Sequence, residues 1–295
     1  MVAKRVSPIE DSYRYCEEMI KRNSKSFYFA FKQLPKEKAN AVFAIYTFCR
    51  KADDSVDENN TKVSQKVSLD QLEAELRLFE QGKEIDHPVW LALRDVFNRY
   101  NMDIAPFYDQ LKGQRMDIDF KEPKTLLELE NYSYYVAGTV GLMLLPIIAE
   151  DSTLDLREQS ISLGIAMQIT NILRDIGEDY SRKNRIYLPE SLLKSELYSE
   201  YDLKNAKINI QFIRIWELLA HRAEELYDHF YESIFYFDED SRFQVLLAAR
   251  IYRGILNTIR KNDYDCFHTR NFVSPLEMKK IHQATCFDMK GQVSS

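Results

Sequence analysis

Carboxylates crowd at two places in this chain, Asp53-Asp54-Ser55-Val56-Asp57 and Asp175-Ile176-Gly177-Glu178-Asp179, each within an otherwise apolar, helix-like run. In both clusters two aspartates stand four residues apart, a spacing that puts them on one helix face a single turn from each other. Arg50 precedes the first cluster and Arg174 adjoins the second. Grouped negative charge repels itself, so a positive partner should relieve it. Divalent metal ions carrying a diphosphate match that need, because hard cations take carboxylate and phosphate oxygens together.

Each cluster also has a plainer reading. In the first, Asp53 lies on the same side as Arg50 and Tyr46, while Asp54 points about 100° away. The alternative is a solvated helix end ahead of Asn59-Asn60, although aspartates at a C-terminus oppose the helix dipole. In the second, Gln168, Asn171, Asp175 and Asp179 fall on one face of a run dominated by Leu163, Ile165, Ile169, Ile172 and Leu173. A buried polar group left unpaired costs ~1–3 kcal/mol, so these residues need partners. Metal-bound phosphate would supply them, and so would a polar seam between packed helices. Taken together, the clusters suit opposing walls of one pocket holding shared Mg²⁺.

The elements that must carry these residues read as helices throughout. Glycine and proline number only eight each, and apolar residues recur at three and four rather than alternating. The pattern predicts an all-α bundle of about ten helices around a central cavity. We expect one domain over 1–295, with its core at about 10–275. Ser7-Pro8 caps and opens a helix through Asn23. Lys36 starts a helix that runs through Asp57 and breaks at Glu58-Asn59-Asn60. Further helices are expected over Ser68–Phe79, from His87-Pro88 to Arg99, and from Ile104 to Met116. Thr125 opens a helix centred on Ala137-Gly138-Thr139-Val140-Gly141. A long helix spans Leu154–Ile176, with a polar loop over Gly177–Arg185. Helical periodicity then covers Lys204–Phe235 and Arg242–Arg260, and Pro275 opens the last helix.

Composition narrows the functional classes. The net charge of −6 argues against nucleic acid as the main partner. Cys16, Cys49, Cys266 and Cys286 form no CxxC pair, which argues against a zinc site or a disulfide framework and fits a reducing cytoplasm. Met1–Glu10 has no apolar core of signal-peptide length. No stretch reaches the ~20 apolar residues of a membrane span. The five histidines form no ligand-spaced cluster. Gly138 and Gly141 thin one helix face at a cost of ~1 kcal/mol each, either for a ligand passing close to the backbone or for tight helix packing.

These pieces resemble the head-to-head isoprenoid synthases, the family of squalene, dehydrosqualene and phytoene synthases. The resemblance rests on Ser24-Lys25-Ser26-Phe27, Tyr46 through Asp57, Tyr135 through Gly141, Gln168 through Asp179, and Arg185-Ile186-Tyr187-Leu188-Pro189. It covers residues 10 to 275, in the family's order. The Ser-Lys-Ser-Phe run and Arg270-Asn271-Phe272-Val273 are similar to the bacterial C30 branch. The resemblance implies a Mg²⁺-dependent prenyltransferase that joins two farnesyl diphosphates through a cyclopropyl diphosphate to dehydrosqualene. A C40 phytoene synthase using geranylgeranyl diphosphate, an NADPH-dependent squalene synthase and a non-catalytic scaffold are the alternatives.

Under this resemblance two or three Mg²⁺ ions would be held by Asp53, Asp57, Asp175 and Asp179, with Asn171 as a further metal or phosphate contact. Arg50, Arg174 and Arg270 would hold diphosphate oxygens. Phe27, Tyr46 and Tyr132 would flank an allylic cation, and Ser24, Gly138 and Gln168 would line the substrate site. Tyr187 is a candidate proton acceptor beside diphosphate itself. No nicotinamide is expected, because Cys286–Ser295 is short and polar. A greasy product leaves peripheral membrane contact open.

Overall fold

The computed structural model describes residues 8–292. The expected Ser7 cap, most of Met1–Glu10 and the last three residues of Cys286–Ser295 lie outside the described residues. All regular structure among the described residues is helical. The chain opens with α1 (Pro8–Asn23), α2 (Lys25–Phe31), α3 (Lys36–Asp57), α4 (Lys62–Glu80), α5 (Pro88–Arg99) and α6 (Ala105–Ile118). It continues with α7 (Leu126–Ser133), a π-helical turn at Tyr134–Gly138, α8 (Thr139–Ile148) and α9 (Arg157–Lys183). Last come α10 (Glu190–Ser195), α11 (Glu200–Lys204), α12 (Ile210–Tyr231), α13 (Glu239–Lys261) and α14 (Pro275–Gln292).

Contacts divide the chain into two compact units that interleave along the sequence. The first comprises residues up to Asp119, Thr139–Asp155 and Tyr236–Val245. Its central helix is α3, flanked by α1, α4, α5, α6 and α8. Burial of Ala39, Val42, Phe43, Ile45, Phe48, Ala52 and Val56 explains why this segment is helical: it is apolar over most of its circumference. Phe48 meets Trp90 at 5.9 Å and Phe107 at 5.0 Å, both edge-on. Truncating so enclosed a ring to alanine would cost roughly 3–5 kcal/mol. A buried clasp joins distant segments of this unit. Asp238 accepts the backbone N–H groups of Glu150 and Asp151 and pairs with Lys38 at 2.8 Å.

The second unit comprises Phe120–Gly138, Leu156–Phe235 and residues from Leu246 on. Its axis is α9, packed against α12, α7 and the π-helical turn. A side chain at Gly164 would put Cβ 2.4 Å from the Ala137 carbonyl oxygen, so this crossing admits only glycine. The helix ends at Asn184, in the left-handed region at φ 50°, with the Asn184 and Arg185 N–H groups folding back onto the carbonyls of Tyr180 and Asp179.

Several expected boundaries change. The expected loop over Gly177–Arg185 is helical to Lys183, so the whole second acidic cluster lies within α9. The fourth helix begins at Lys62, because Thr61 and Ser64 form a reciprocal capping box ahead of Ser68. The expected Lys204–Phe235 helix starts only at Ile210, where Asn209 caps it. The segment from Thr125 onward divides into α7, the π-helical turn and α8. The expectation of ten helices missed the short α2, α10 and α11.

Candidate functional site

The first acidic turn ends α3. Asp53 and Asp54 are half-buried, and Asp57 is exposed. Arg50 does not pair with Asp53 as the helical alignment suggested. Its Nη2 lies 2.5 Å from Asp54 Oδ1, an i,i+4 bridge. Asp53 Oδ1 instead accepts from Gln114 Nε2 on α6 at 2.6 Å. Burial pushes the Asp53 carboxyl up to about 7; Arg50 opposes the shift, while Asp57, Asp117 and Asp54 add repulsion. Phe27 and Tyr46 face each other with ring centroids 6.5 Å apart. Ser24 caps α2, its Oγ accepting from the Phe27 N–H at 3.4 Å.

The second acidic turn belongs to α9. Arg174 grips Asp175 through both carboxylate oxygens, at 2.8 and 2.5 Å. Arg270 approaches Asp175 at 3.6 Å and Glu178 at 3.4 Å. One turn earlier, Asn171 Nδ2 donates to Gln168 Oε1 at 3.4 Å. Gly177 lets the 265–267 backbone come close: its N–H donates to the Cys266 carbonyl at 3.1 Å, and a Cβ there would stand 2.5 Å from Phe267 Cα.

Two tyrosines on the candidate list meet in the same unit. Tyr132 Oη donates to Tyr187 Oη at 3.5 Å, and Arg185 Nη1 donates to that oxygen at 2.9 Å. The Phe120 ring packs edge-on against Tyr187 at 4.9 Å. A small recess, with room for about one water (≈ 10 Å³), is lined by Ile172, Ile176, Asp179, Arg185, Tyr187 and Leu188. It brings Asp179 and Tyr187 to one surface. Gly138 is covered by protein: a Cβ there would meet Tyr134 at 3.1 Å and Ile161 at 3.4 Å, which is the tight-packing arrangement.

The sequence reading missed several residues that touch these groups. Gln114 and Asp117 act on Asp53 from α6. Tyr252 on α13 bonds to the Arg174 side chain, and burial raises its phenol pKa. Arg185 and Phe120 hold Tyr187. A signal existed for α6: Gln110, Gln114 and Asp117 repeat at helical spacing between apolar residues, as the acidic faces do.

The donors and acceptors suit a cation bridging to an anion. Asn171 Oδ1 is buried without a hydrogen-bond partner, an acceptor that suits a cation or a donor. Arg50 Nε is likewise buried without a partner, a donor that suits an anionic oxygen. Asp53 stands in excess negative field, which a divalent ion would relieve. Among the described residues, no three His, Cys, Asp or Glu side chains converge closely enough to hold a metal by themselves.

The all-α fold is that of the isoprenoid synthases, as the match to a solved dehydrosqualene synthase shows. A family model described as squalene/phytoene synthase matches residues 20–277. The chain therefore belongs to the squalene/phytoene synthase family, and it is a head-to-head prenyltransferase of that type. Its fold is similar to a dehydrosqualene synthase solved with a ligand, with TM-score 0.91 and 44% identity, covering 97% of this chain and 100% of that one. It is 36% identical to the 4,4′-diapophytoene synthase of Staphylococcus haemolyticus over 94% of this chain and 97% of that protein. It is 38% identical to a phytoene synthase of Arthrospira platensis over 89% of this chain and 88% of that protein.

Proposed function

We propose that the protein condenses two farnesyl diphosphates head to head, through a cyclopropyl diphosphate, to the C30 hydrocarbon dehydrosqualene. The observation that carries this reading is the 44% identity and 0.91 TM-score to a dehydrosqualene synthase across nearly the whole chain. The family span is read as one isoprenoid synthase domain. A C40 phytoene product from geranylgeranyl diphosphate is the second reading, favoured by the 38% identity to a phytoene synthase.

The family relationship supports a requirement for Mg²⁺, and two or three ions is our reading. Asp53, Asp57, Asn171, Asp175 and Asp179 would hold them, with water and phosphate oxygens completing the shells. Bound Mg²⁺ supplies Lewis-acid stabilisation of the departing diphosphate. Arg50, Arg174 and Arg270 donate charge-assisted hydrogen bonds to its oxygens. Phe27, Tyr46 and Tyr132 present ring faces to the allylic cation and exclude water from it. Gln168 and Ser24 help shape the substrate site. Attack by the acceptor's C2=C3 bond and loss of a proton close the cyclopropane. That proton goes to the released diphosphate, directly or by relay through Tyr187 Oη, which would take it up while passing its own phenolic proton to a diphosphate oxygen; Tyr187 Oη receives hydrogen bonds from Arg185 and Tyr132. A second ionisation opens the ring, and proton loss leaves a central double bond with no hydride donor required.

The product is insoluble in water, so its delivery to a membrane surface is part of the same proposal. No described helix is long and apolar enough to cross a membrane. The test offers farnesyl and geranylgeranyl diphosphates together, with and without NADPH, and analyses the hydrocarbons by mass spectrometry. The proposal expects dehydrosqualene in both conditions. A dominant C40 product, or squalene formed only with NADPH, would replace it with one of the other family activities.

A further inference from the structure

Helix α6 carries a polar stripe into an apolar bundle. Gln110, Gln114 and Asp117 share one face, while Phe107, Leu111 and Ile118 of the same helix are buried core. Both glutamines are almost fully enclosed, Gln110 at 1% and Gln114 at 4% exposure. A buried primary amide is costly unless its donors and acceptor are matched, so each needs a specific partner. Gln110 Oε1 accepts from Thr139 Oγ1 at 2.6 Å and so ties α6 to α8. Gln114 Nε2 donates to Asp53 Oδ1, also at 2.6 Å. The two amides differ in kind. One joins two neutral groups, and the other holds a carboxylate that the site reading makes a metal ligand.

The backbone beneath Gln114 is itself anchored. The next residue, Arg115, bridges to Asp70 at 2.7 Å and Glu73 at 2.5 Å on α4. The amide is therefore presented from a helix clamped on its other side. Its hydrogen bond engages one Asp53 oxygen and leaves the second for a cation.

We propose that Gln114 is a positioning residue for metal binding, fixing the Asp53 carboxylate in the orientation that accepts Mg²⁺ with diphosphate. This rests on the reading of Asp53 as a metal ligand. A ligand whose outer hydrogen bond is lost typically binds its metal ~10–100-fold more weakly, because the freed side chain must be reordered at each binding event. Gln110 makes a bond of the same length on the same helix without touching a carboxylate, and it supplies the internal control.

The test uses Gln114→Met and Gln110→Met in the full chain, each a substitution of similar volume. Two readings are taken. One is the Mg²⁺ concentration giving half-maximal diphosphate release. The other is the Mg²⁺ concentration giving half of the melting-temperature rise in the presence of inorganic diphosphate, which needs no turnover. The expected result is that Gln114→Met raises both by ~10-fold or more. Gln110→Met lowers the melting temperature of the metal-free protein and leaves both titrations in place. Gln114→Asn, one methylene shorter, keeps the polarity of the site but withdraws the amide, and it should shift both titrations the same way. Titrations of Gln114→Met and Gln114→Asn within twofold of wild type, or an equal shift in Gln110→Met, would overturn the inference. Asp53→Asn separates the two claims: wild-type binding of Mg²⁺ and diphosphate by that variant would remove the site reading itself.

Discussion

Burial of Asp53, with added repulsion from Asp57, Asp117 and Asp54 and against the opposing pull of Arg50, pushes its carboxyl up to about 7 from an ordinary 3.8. The folded chain thus binds the carboxyl proton more tightly than the unfolded chain does. The group's contribution to stability is full below the unfolded value and is lost as pH rises towards 7. Asn has no proton to lose and acquires no charge as pH rises. In metal-free protein, Asp53→Asn should match wild type in melting temperature near pH 4 and exceed it by about 2 °C or more at pH 8. A difference that stays constant across this range would show that Asp53 is not held in a costly charged state. Residue types and spacing made the two aspartate faces and their arginines legible in the sequence. The actual partners were not, because helical alignment fixes a direction and not a rotamer. Arg50 turns to Asp54, and Asp53 finds its donor on a helix 61 residues away in sequence.

At the level of elements, glycine in the second cluster was the misleading signal. Gly177 suggested a helix end, but α9 continues to Asn184, whose left-handed backbone terminates it. Gly177 serves a crossing instead. The segment after α13 lies against it, held by the Cys266 carbonyl and by Asn271, which donates to the Asp265 and Thr269 carbonyls. That segment carries Arg270 to Asp175 and Glu178. In Gly177→Ala the new Cβ would overlap Phe267 backbone atoms at 2.5 and 2.6 Å, so the backbone must shift. We predict a loss of ~1–3 kcal/mol in stability by denaturant titration. The rate of diphosphate release should also fall by about tenfold or more, as expected when a positioned arginine moves. Wild-type values for both would mean that Arg270 is placed independently of this crossing. By contrast, α3 was legible from Lys36 to Asp57, since its apolar residues and its two ends are all marked locally.

For the molecule as a whole, the all-helical class followed from composition and periodicity, and the family from motif order. The interleaving of the two compact units did not. It depends on pairings such as Lys38 with Asp238, which lie 200 residues apart and leave no local pattern. The central proposal concerns chemistry rather than packing: both aspartate turns would serve one diphosphate-releasing condensation. Its most direct measurement is the Mg²⁺-dependent release of inorganic diphosphate from farnesyl diphosphate by wild type, Asp53→Asn and Asp175→Asn, with helicity followed by circular dichroism. The account predicts release by wild type only with Mg²⁺, and a fall of at least ~10²-fold in each variant, the scale of losing one electrostatic stabiliser of a leaving group, with unchanged helicity. Near-normal release by either variant would contradict it.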